Sequence, residues 1–311
     1  MRRCLMQAMV ITLVFVGVLQ AADPTVGQVT HREFQAVQAD GKPAYAATDK
    51  VILEGIVLHN PGDMLDPTPD DTIAAMYNLG AQWQFFFQGE GDDHAGTAVF
   101  MGQLYGNMPW VDTGSYSNGE WIAEMTRLNA ARFSPGDRIR VTGYFLPYKG
   151  KCNVNEQHNK NADHDFTIEL LERGVGLPKP EVVSLSELKD EQDQFVFDSE
   201  RLVGGEYYQG RLVKIEDVNI VDPNAWGPGG VLTITDGIKT FPVRLGRGSG
   251  IYAGSFNLSQ PCDVIGIMNQ ESAVLTGGYE LYVVNYDGNG QVLAAYEHRM
   301  VDQTVVVDPN E

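Results

Sequence analysis

The sequence predicts a mainly β protein, built as two small five-stranded Greek-key barrels in tandem with short helices. Three observations carry that expectation. β-rich runs recur at short intervals between residues 51 and 286, each ended by Gly, Pro, Asn or Asp. A Pro/Gly stretch over 174–180 interrupts them near the middle. The runs on its two sides repeat one order: strand, hairpin, irregular stretch, a strand carrying glycine, and a final strand. Five strands around one short helix suit a small closed barrel. A pair of β-sandwich domains has similar strand counts, so strand content alone does not separate the two. The expected boundaries are a leader at 1–22, a first barrel at 23–173, a linker at 174–181, and a second barrel with a C-terminal extension at 182–311.

The leader comes first. Arg2 and Arg3 precede an apolar run over 10–19, and Gln20-Ala21-Ala22-Asp23-Pro24 follows. That is the order of a secretory signal cleaved after Ala21 or Ala22. The alternative is a membrane anchor, but the run falls short of the ~20 residues that a spanning helix needs. The expected location is secreted or periplasmic, with no membrane attachment after cleavage. Cleavage removes Cys4 and leaves Cys152 and Cys262. An oxidising compartment permits their pairing if their Cα atoms come within about 7 Å. The sequence leaves a disulfide and two separate buried thiols equally open.

Along the mature chain, residues 51–58 (Val-Ile-Leu-Glu-Gly-Ile-Val-Leu) read as a strand that runs into the turn Asn60-Pro61-Gly62-Asp63. A short helix is expected over 70–79, with Asp70 or Asp71 as its cap and Ile73, Met76 and Tyr77 on one face. Residues 82–87 (Gln-Trp-Gln-Phe-Phe-Phe) make a strand whose hairpin partner is 97–101. Over 121–131, Ile122, Met125 and Leu128 recur at near-helical spacing. The turn Phe133-Ser-Pro-Gly-Asp137 leads into an alternating strand at 138–145. After the turn Tyr148-Lys149-Gly150, residues 165–171 close the first unit. The second unit has a helical turn at 184–189, a strand at 210–218, and a Pro/Gly loop at 222–230 that holds Trp226. A hairpin at 231–245 turns on Asp236-Gly237. Strands at 262–268 and 279–286 follow, and then a ribbon at 292–296 and 304–307. Gly143 and Gly266 are expected at matching places, each ending a central strand where the chain bends.

The stretch Ser134-Pro-Gly-Asp-Arg-Ile-Arg-Val-Thr-Gly-Tyr-Phe145, with Tyr148-Lys-Gly150 and residues 166–170, looks like the core of an OB-fold module. The join from Gly176-Leu-Pro-Lys-Pro-Glu-Val-Val183 to Tyr208-Gln-Gly-Arg-Leu-Val-Lys-Ile-Glu-Asp-Val218 resembles the spacing between consecutive modules in the non-catalytic part of secreted bacterial nucleases. The resemblance spans about residues 50–286. It implies tandem OB-like barrels and, through the nucleases, a nucleic-acid-binding role. A large phosphodiesterase domain follows the modules in those relatives, and the residues after 286 are too few for one. The implication therefore reaches the fold and stops short of the activity.

Composition narrows the chemistry. The formal charge of −19 argues against broad attraction to nucleic acid or anionic lipid, so duplex nucleic acid is not expected as a partner. Cys152, His158 and His164 lack the close ligand pairs of a zinc site, and no metal or cofactor is expected. Residues 285–292 echo a calcium loop but put Tyr296 where the bidentate Glu belongs, so a hairpin turn explains them better. No nucleophile elbow, P-loop or dinucleotide fingerprint is present, and no catalytic residue is assigned.

Alternation puts Trp83, Phe85 and Phe87 on one strand face and Phe86 on the other, and a barrel core takes most of them. The candidates for a ligand-stacking platform are Trp83, Phe86, Tyr144, Tyr148 and Trp226, with Trp110 in a turn. Arg138 and Arg140, with Lys149 and Lys151, are the nearest cations. The expected function is an exported, non-catalytic protein that binds an extended polymer or a protein partner. The alternatives are a nucleic-acid-binding module and a hydrolase whose site lies among the 41 acids.

Overall fold

The structure is a computed structural model that describes residues 27–69, 81–105, 115–247, 251, 260–286 and 291–293. The leader, the helix expected at 70–79, Trp110, the calcium-like turn and the ribbon at 304–307 lie wholly or partly outside those residues.

The first unit contains β1 (Gly27–Gln28), α1 (His31–Phe34), β2 (Val51–Val57), α2 (Pro61–Met64), β3 (Gln82–Gln88), β4 (Gly96–Gly102), α3 (Asn118–Asn129), β5 (Arg138–Tyr148), β6 (Lys151–Asn155) and β7 (Thr167–Glu172). The second contains β8 (Glu181–Val182), α4 (Leu185–Leu188), α5 (Gly204–Tyr207), β9 (Leu212–Ile220), β10 (Val231–Thr235), β11 (Thr240–Leu245), β12 (Cys262–Gln270), β13 (Tyr279–Val283), β14 (Asn285–Tyr286) and β15 (Gln291–Leu293).

Each unit closes on itself. In the first, the ring runs β2-β3-β4-β6-β5 and returns to β2, with β4 and β6 parallel and the other pairs antiparallel. In the second it runs β9-β10-β11-β13-β12 and returns to β9, and β11–β13 is the parallel pair. Both rings have the strand order of the OB fold, and α3 fills the interval between the third and fourth strands of the first. The chain is thus two tandem OB-like barrels.

The first barrel departs from the sequence reading in its fifth strand. Residues 165–171 are expected to close it, but β7 lies outside the ring and, among the described residues, pairs with β5 alone. The closing strand is β6, Lys-Cys-Asn-Val-Asn, whose composition reads as loop. Its inward residues Cys152 and Val154 enter the barrel core. Its outward residues Lys151, Asn153 and Asn155 are also buried.

Gly143 and Gly266 do match, each on the fourth ring strand. Gly143 is the last β5 residue paired with β2 before β5 turns to β6. Gly266 pairs with Val213 one step before β12 turns to β13. Neither glycine ends its strand, which runs on and changes neighbour there. A Cβ on Gly143 would stand 2.5 Å from Val154 Cγ1 and 2.7 Å from the Phe166 Cβ, so the bend needs the missing side chain.

Helix α3 is fixed by a capping box, with Ser117 Oγ accepting from the Glu120 amide and the Glu120 carboxylate accepting from the Ser117 amide. Trp121 and Leu128 form its buried stripe with Met125 packed beside them, while Ile122 points outward, 54% exposed.

Three apolar clusters hold the described residues together. One fills each barrel, with Trp83, Phe85 and Phe87 in the first and Phe241, Leu281 and Val264 in the second. The third joins Leu58, Met64, Phe86 and Ala98 of the first unit to Leu212, Ile265, Ile267 and Tyr282 of the second. Alternation on β3 thus sends one aromatic set into the barrel and Phe86 into the seam between barrels. Cys152 and Cys262 are free thiols, each buried in the core of its own barrel. Among the described residues no helix is long and apolar enough to cross a membrane.

Candidate binding face at the barrel junction

The residues proposed as a ligand platform do not share one surface. Trp83 is 1% exposed and stacks on Phe166 inside the first barrel, with ring centroids 5.9 Å apart. Phe86, also 1% exposed, is covered by the second barrel. Both are corrected from ligand contacts to packing residues, because the closure of one barrel and the docking of the other hide the two faces of β3. Trp226 is half-buried against the second core and donates from Nε1 to the Ile251 carbonyl at 2.8 Å. Tyr144 meets His164 edge-on, with Lys50 Nζ 5.4 Å from its ring centre.

The two arginines lie on the outer face of β5 within ion-pair ladders. Arg138 bridges Glu90 on one side and Glu172 on the other. Arg140 bridges Glu54 at 2.7 Å and Glu169 at 2.8 Å. Four carboxylates surround two guanidiniums, so this stripe offers a polyanion no net positive charge.

Tyr148 is different. It is 38% exposed, at the turn that carries β5 into β6, and that turn reaches the second barrel. Lys149 follows it, its Nζ 5.0 Å from the Tyr148 ring centre and 3.4 Å from Glu271 Oε1. Lys151 is buried, with Nζ 2.8 Å from Asn269 Oδ1 and 3.8 Å from Glu271 Oε2. From the second barrel comes Arg244 on β11, whose Nε donates to both Glu280 oxygens at 2.9 and 3.0 Å. Asn269 donates to Glu280 Oε1 at 3.0 Å.

Alternation explains the placement: Val243 and Leu245 fill the core, so Arg244 points out beside Glu280 and Tyr282 of β13. An arginine between two core residues was the available signal for this face. The partners supplied by the other barrel had none.

Burial sets the electrostatics here. Lys151 is pushed below its ordinary value by loss of solvent, and Glu271 and Glu280 oppose that. Burial raises Glu271, but Lys151, Lys149 and Arg244 outweigh it and keep the carboxyl below its usual range. Arg244 loses solvent as well and is nevertheless held charged by Glu280. Three cations therefore meet two carboxylates beside an exposed tyrosine. The contrast with the ladder on β5 is one of sign.

Burial lowers His158 to about 4 and raises the Cys262 thiol to about 11. Cys152 is raised by the same cause. His164 is hydrogen-bonded to Asn159. Among the described residues no group of three His, Cys, Asp or Glu side chains is placed to hold a metal ion.

No protein-family model matches the chain, nor does any curated protein sequence. Among solved structures it is similar to a murine DNA-binding protein bound to double-stranded DNA, at 12% identity and a TM-score of 0.29, covering 75% of this chain and 93% of that one. It is also similar to the Ifi202 HINa domain in complex with a 20-bp duplex, at 12% identity and a TM-score of 0.28, covering 66% of this chain and 78% of that one. A third is a replication protein A heterotrimer bound to single-stranded DNA, at 9% identity and a TM-score of 0.28, covering 78% of this chain and 51% of that one. Two of these structures hold DNA duplexes, against the expectation that duplex nucleic acid is not a partner, and that expectation is withdrawn. Net charge sums over the whole surface, whereas a nucleic acid meets one face of it. Of the expected resemblance, the tandem OB-like arrangement is found, and none of the three structures named here is a nuclease.

Proposed function

We propose that this chain is an exported, non-catalytic binding protein whose ligand is a nucleic-acid strand laid across the junction face. The observation that carries the reading is that face itself: Tyr148, Lys149 and Arg244, drawn from two OB-like barrels with Lys151 buried beneath them, set an open aromatic beside three cations and two carboxylates on an acidic molecule. OB folds take oligonucleotides and oligosaccharides on their second and third strands and adjoining loops. Here that face of the first barrel is covered around Phe86, which leaves β10, β11 and the turn at Tyr148. Stacking supplies sequence-tolerant affinity, at roughly 1–3 kcal/mol per base. With few cations engaged, the salt dependence is shallow.

Fluorescence anisotropy with a labelled single strand, its duplex and a neutral oligosaccharide, each at low and moderate salt, tests the reading. The expected result is binding of at least one DNA form that falls sharply in Tyr148→Ala and Lys149→Ala. Binding of the oligosaccharide with neither DNA form bound would overturn it. The export part rests on Arg2, Arg3, the apolar run and Ala21-Ala22. Intact-mass measurement of secreted material should begin at Ala22 or Asp23, and a species that keeps Met1 would end that part.

A further inference from the structure

His94 stands in the turn between β3 and β4 of the first barrel, yet its ring is held by the second unit. It stacks on Tyr207 of α5, with centroids 4.1 Å apart and planes at 24°. Its Nδ1 lies 3.0 Å from the Tyr207 carbonyl oxygen, and its Nε2 lies 2.9 Å from the Glu181 carboxylate of β8. Both partners are acceptors. A neutral imidazole has one N–H and one lone pair, so it satisfies only one of them, whereas the imidazolium donates to both.

We propose that His94 is a protonation-operated latch between the two barrels, closed while both ring nitrogens carry protons and released when either proton leaves. On release, the proton passes to solvent through the partly exposed ring edge. If Nδ1 keeps its hydrogen, the Nε2 lone pair faces a carboxylate. If Nε2 keeps its hydrogen, the Nδ1 lone pair faces a carbonyl. Either way one tie between the barrels becomes a repulsion.

The surroundings are consistent with this. Glu181 also pairs with Arg211, just before β9. Burial raises the Glu181 carboxyl, but His94 and Arg211 outweigh that and hold it below the usual range, so the acceptor stays ionised. Tyr208 packs at the ring's flank, with centroids 6.3 Å apart. In the turn itself, Asp92 precedes Asp93, whose carboxylate is taken by the His31 and Arg32 amides at 2.8 and 2.7 Å. Arg201, just before α5, and Glu206, within it, are buried. Beside the latch the chains touch directly: the Gly96 amide donates to the Gln209 carbonyl at 2.9 Å, and the Leu212 amide donates to Gln88 Oε1 at 3.0 Å. Those two amides report on the seam.

The imidazolium makes both ties and the neutral ring only one, so the seam should hold at acidic pH and loosen as pH rises. The test is hydrogen exchange at the Gly96 and Leu212 amides in the full chain carrying Glu206→Gln, which removes the other titrating carboxyl of the seam. After correction for intrinsic chemistry, exchange should rise roughly fivefold from pH 5.5 to 8. Adding His94→Gln should remove the dependence and leave the seam loose at both values. Adding Glu181→Gln should remove it the other way, because a glutamine amide donates to the neutral Nε2 and keeps the seam closed at pH 8. Equal exchange at the two pH values without those additions would overturn the latch, as would an unchanged dependence in His94→Gln.

Discussion

Glu206 and Phe86 are ordinary residue types given unusual positions by the docking of two barrels. Glu206 accepts from the Tyr279 hydroxyl at 2.9 Å, and burial raises its carboxyl to about 7 against the pull of Arg201. A carboxyl raised on folding binds its proton more tightly in the native state, so stability falls as pH climbs from its ordinary value toward about 7. Urea titrations between pH 4.5 and 8 should show that fall, and Glu206→Gln should flatten it and be the more stable form at pH 8. A wild-type midpoint that does not decline would contradict the assignment. For Phe86, truncation to alanine should cost about 3–5 kcal/mol, the range for a buried aromatic, where a surface aromatic would lose far less. Its place on the opposite face from Trp83 was legible from alternation. What covered it was not, because Leu212, Ile265, Ile267 and Tyr282 of the second barrel lie more than a hundred positions away.

Elements were legible where their pattern was local. β3, β4, β5 and the hairpin of β10 and β11 fall where alternation and turn residues put them, and α3 is found with its apolar face turned by one residue from Ile122 to Trp121. β6 was missed for a physical reason. Its two apolar residues, Cys152 and Val154, do alternate, but they stand among Lys151, Asn153 and Asn155, whose burial comes from distant chain segments and leaves no mark in the local pattern. β7, with its tidy alternation, was mistaken for the closing strand. The fourth strand of the first barrel offers the sharpest check at this scale. Gly143→Val should destabilise the first barrel by at least about 1–3 kcal/mol, since the added carbons meet Val154 and Phe166 and cannot be relieved without opening the β5–β6 pairing. Calorimetry showing an unshifted transition would mean that the bend is softer than the contacts indicate.

At the scale of the whole molecule, repetition of one strand order on both sides of a Pro/Gly linker was enough to specify tandem barrels. The sequence did not say how the barrels meet, and the candidate face depends on that meeting. Tyr148 was singled out from sequence, while Arg244, Glu271 and Glu280 became its neighbours only through the third apolar cluster. The local sign of the charge follows from this assembly and not from the sum of −19.

The close approach of Gly96 and Gly210 carries a consequence for how the gene can be cut. Each backbone occupies the space where a Cβ of the other would lie, so even alanine at either position pushes the halves apart. The same seam leaves Leu212, Ile265 and Ile267 bare if residues 1–173 are removed, and Phe86 bare if residues 182–311 are removed. Either fragment made by itself should therefore fall into inclusion bodies. Produced together as separate polypeptides, the two should find one another and return to the soluble fraction as a non-covalent heterodimer. Co-expression followed by gel filtration reads this directly: two independently soluble, non-associating fragments would show that the seam is dispensable. Wild-type fragments that associate while Gly96→Ala and Gly210→Ala fragments do not would make this chain a two-piece complementation reporter.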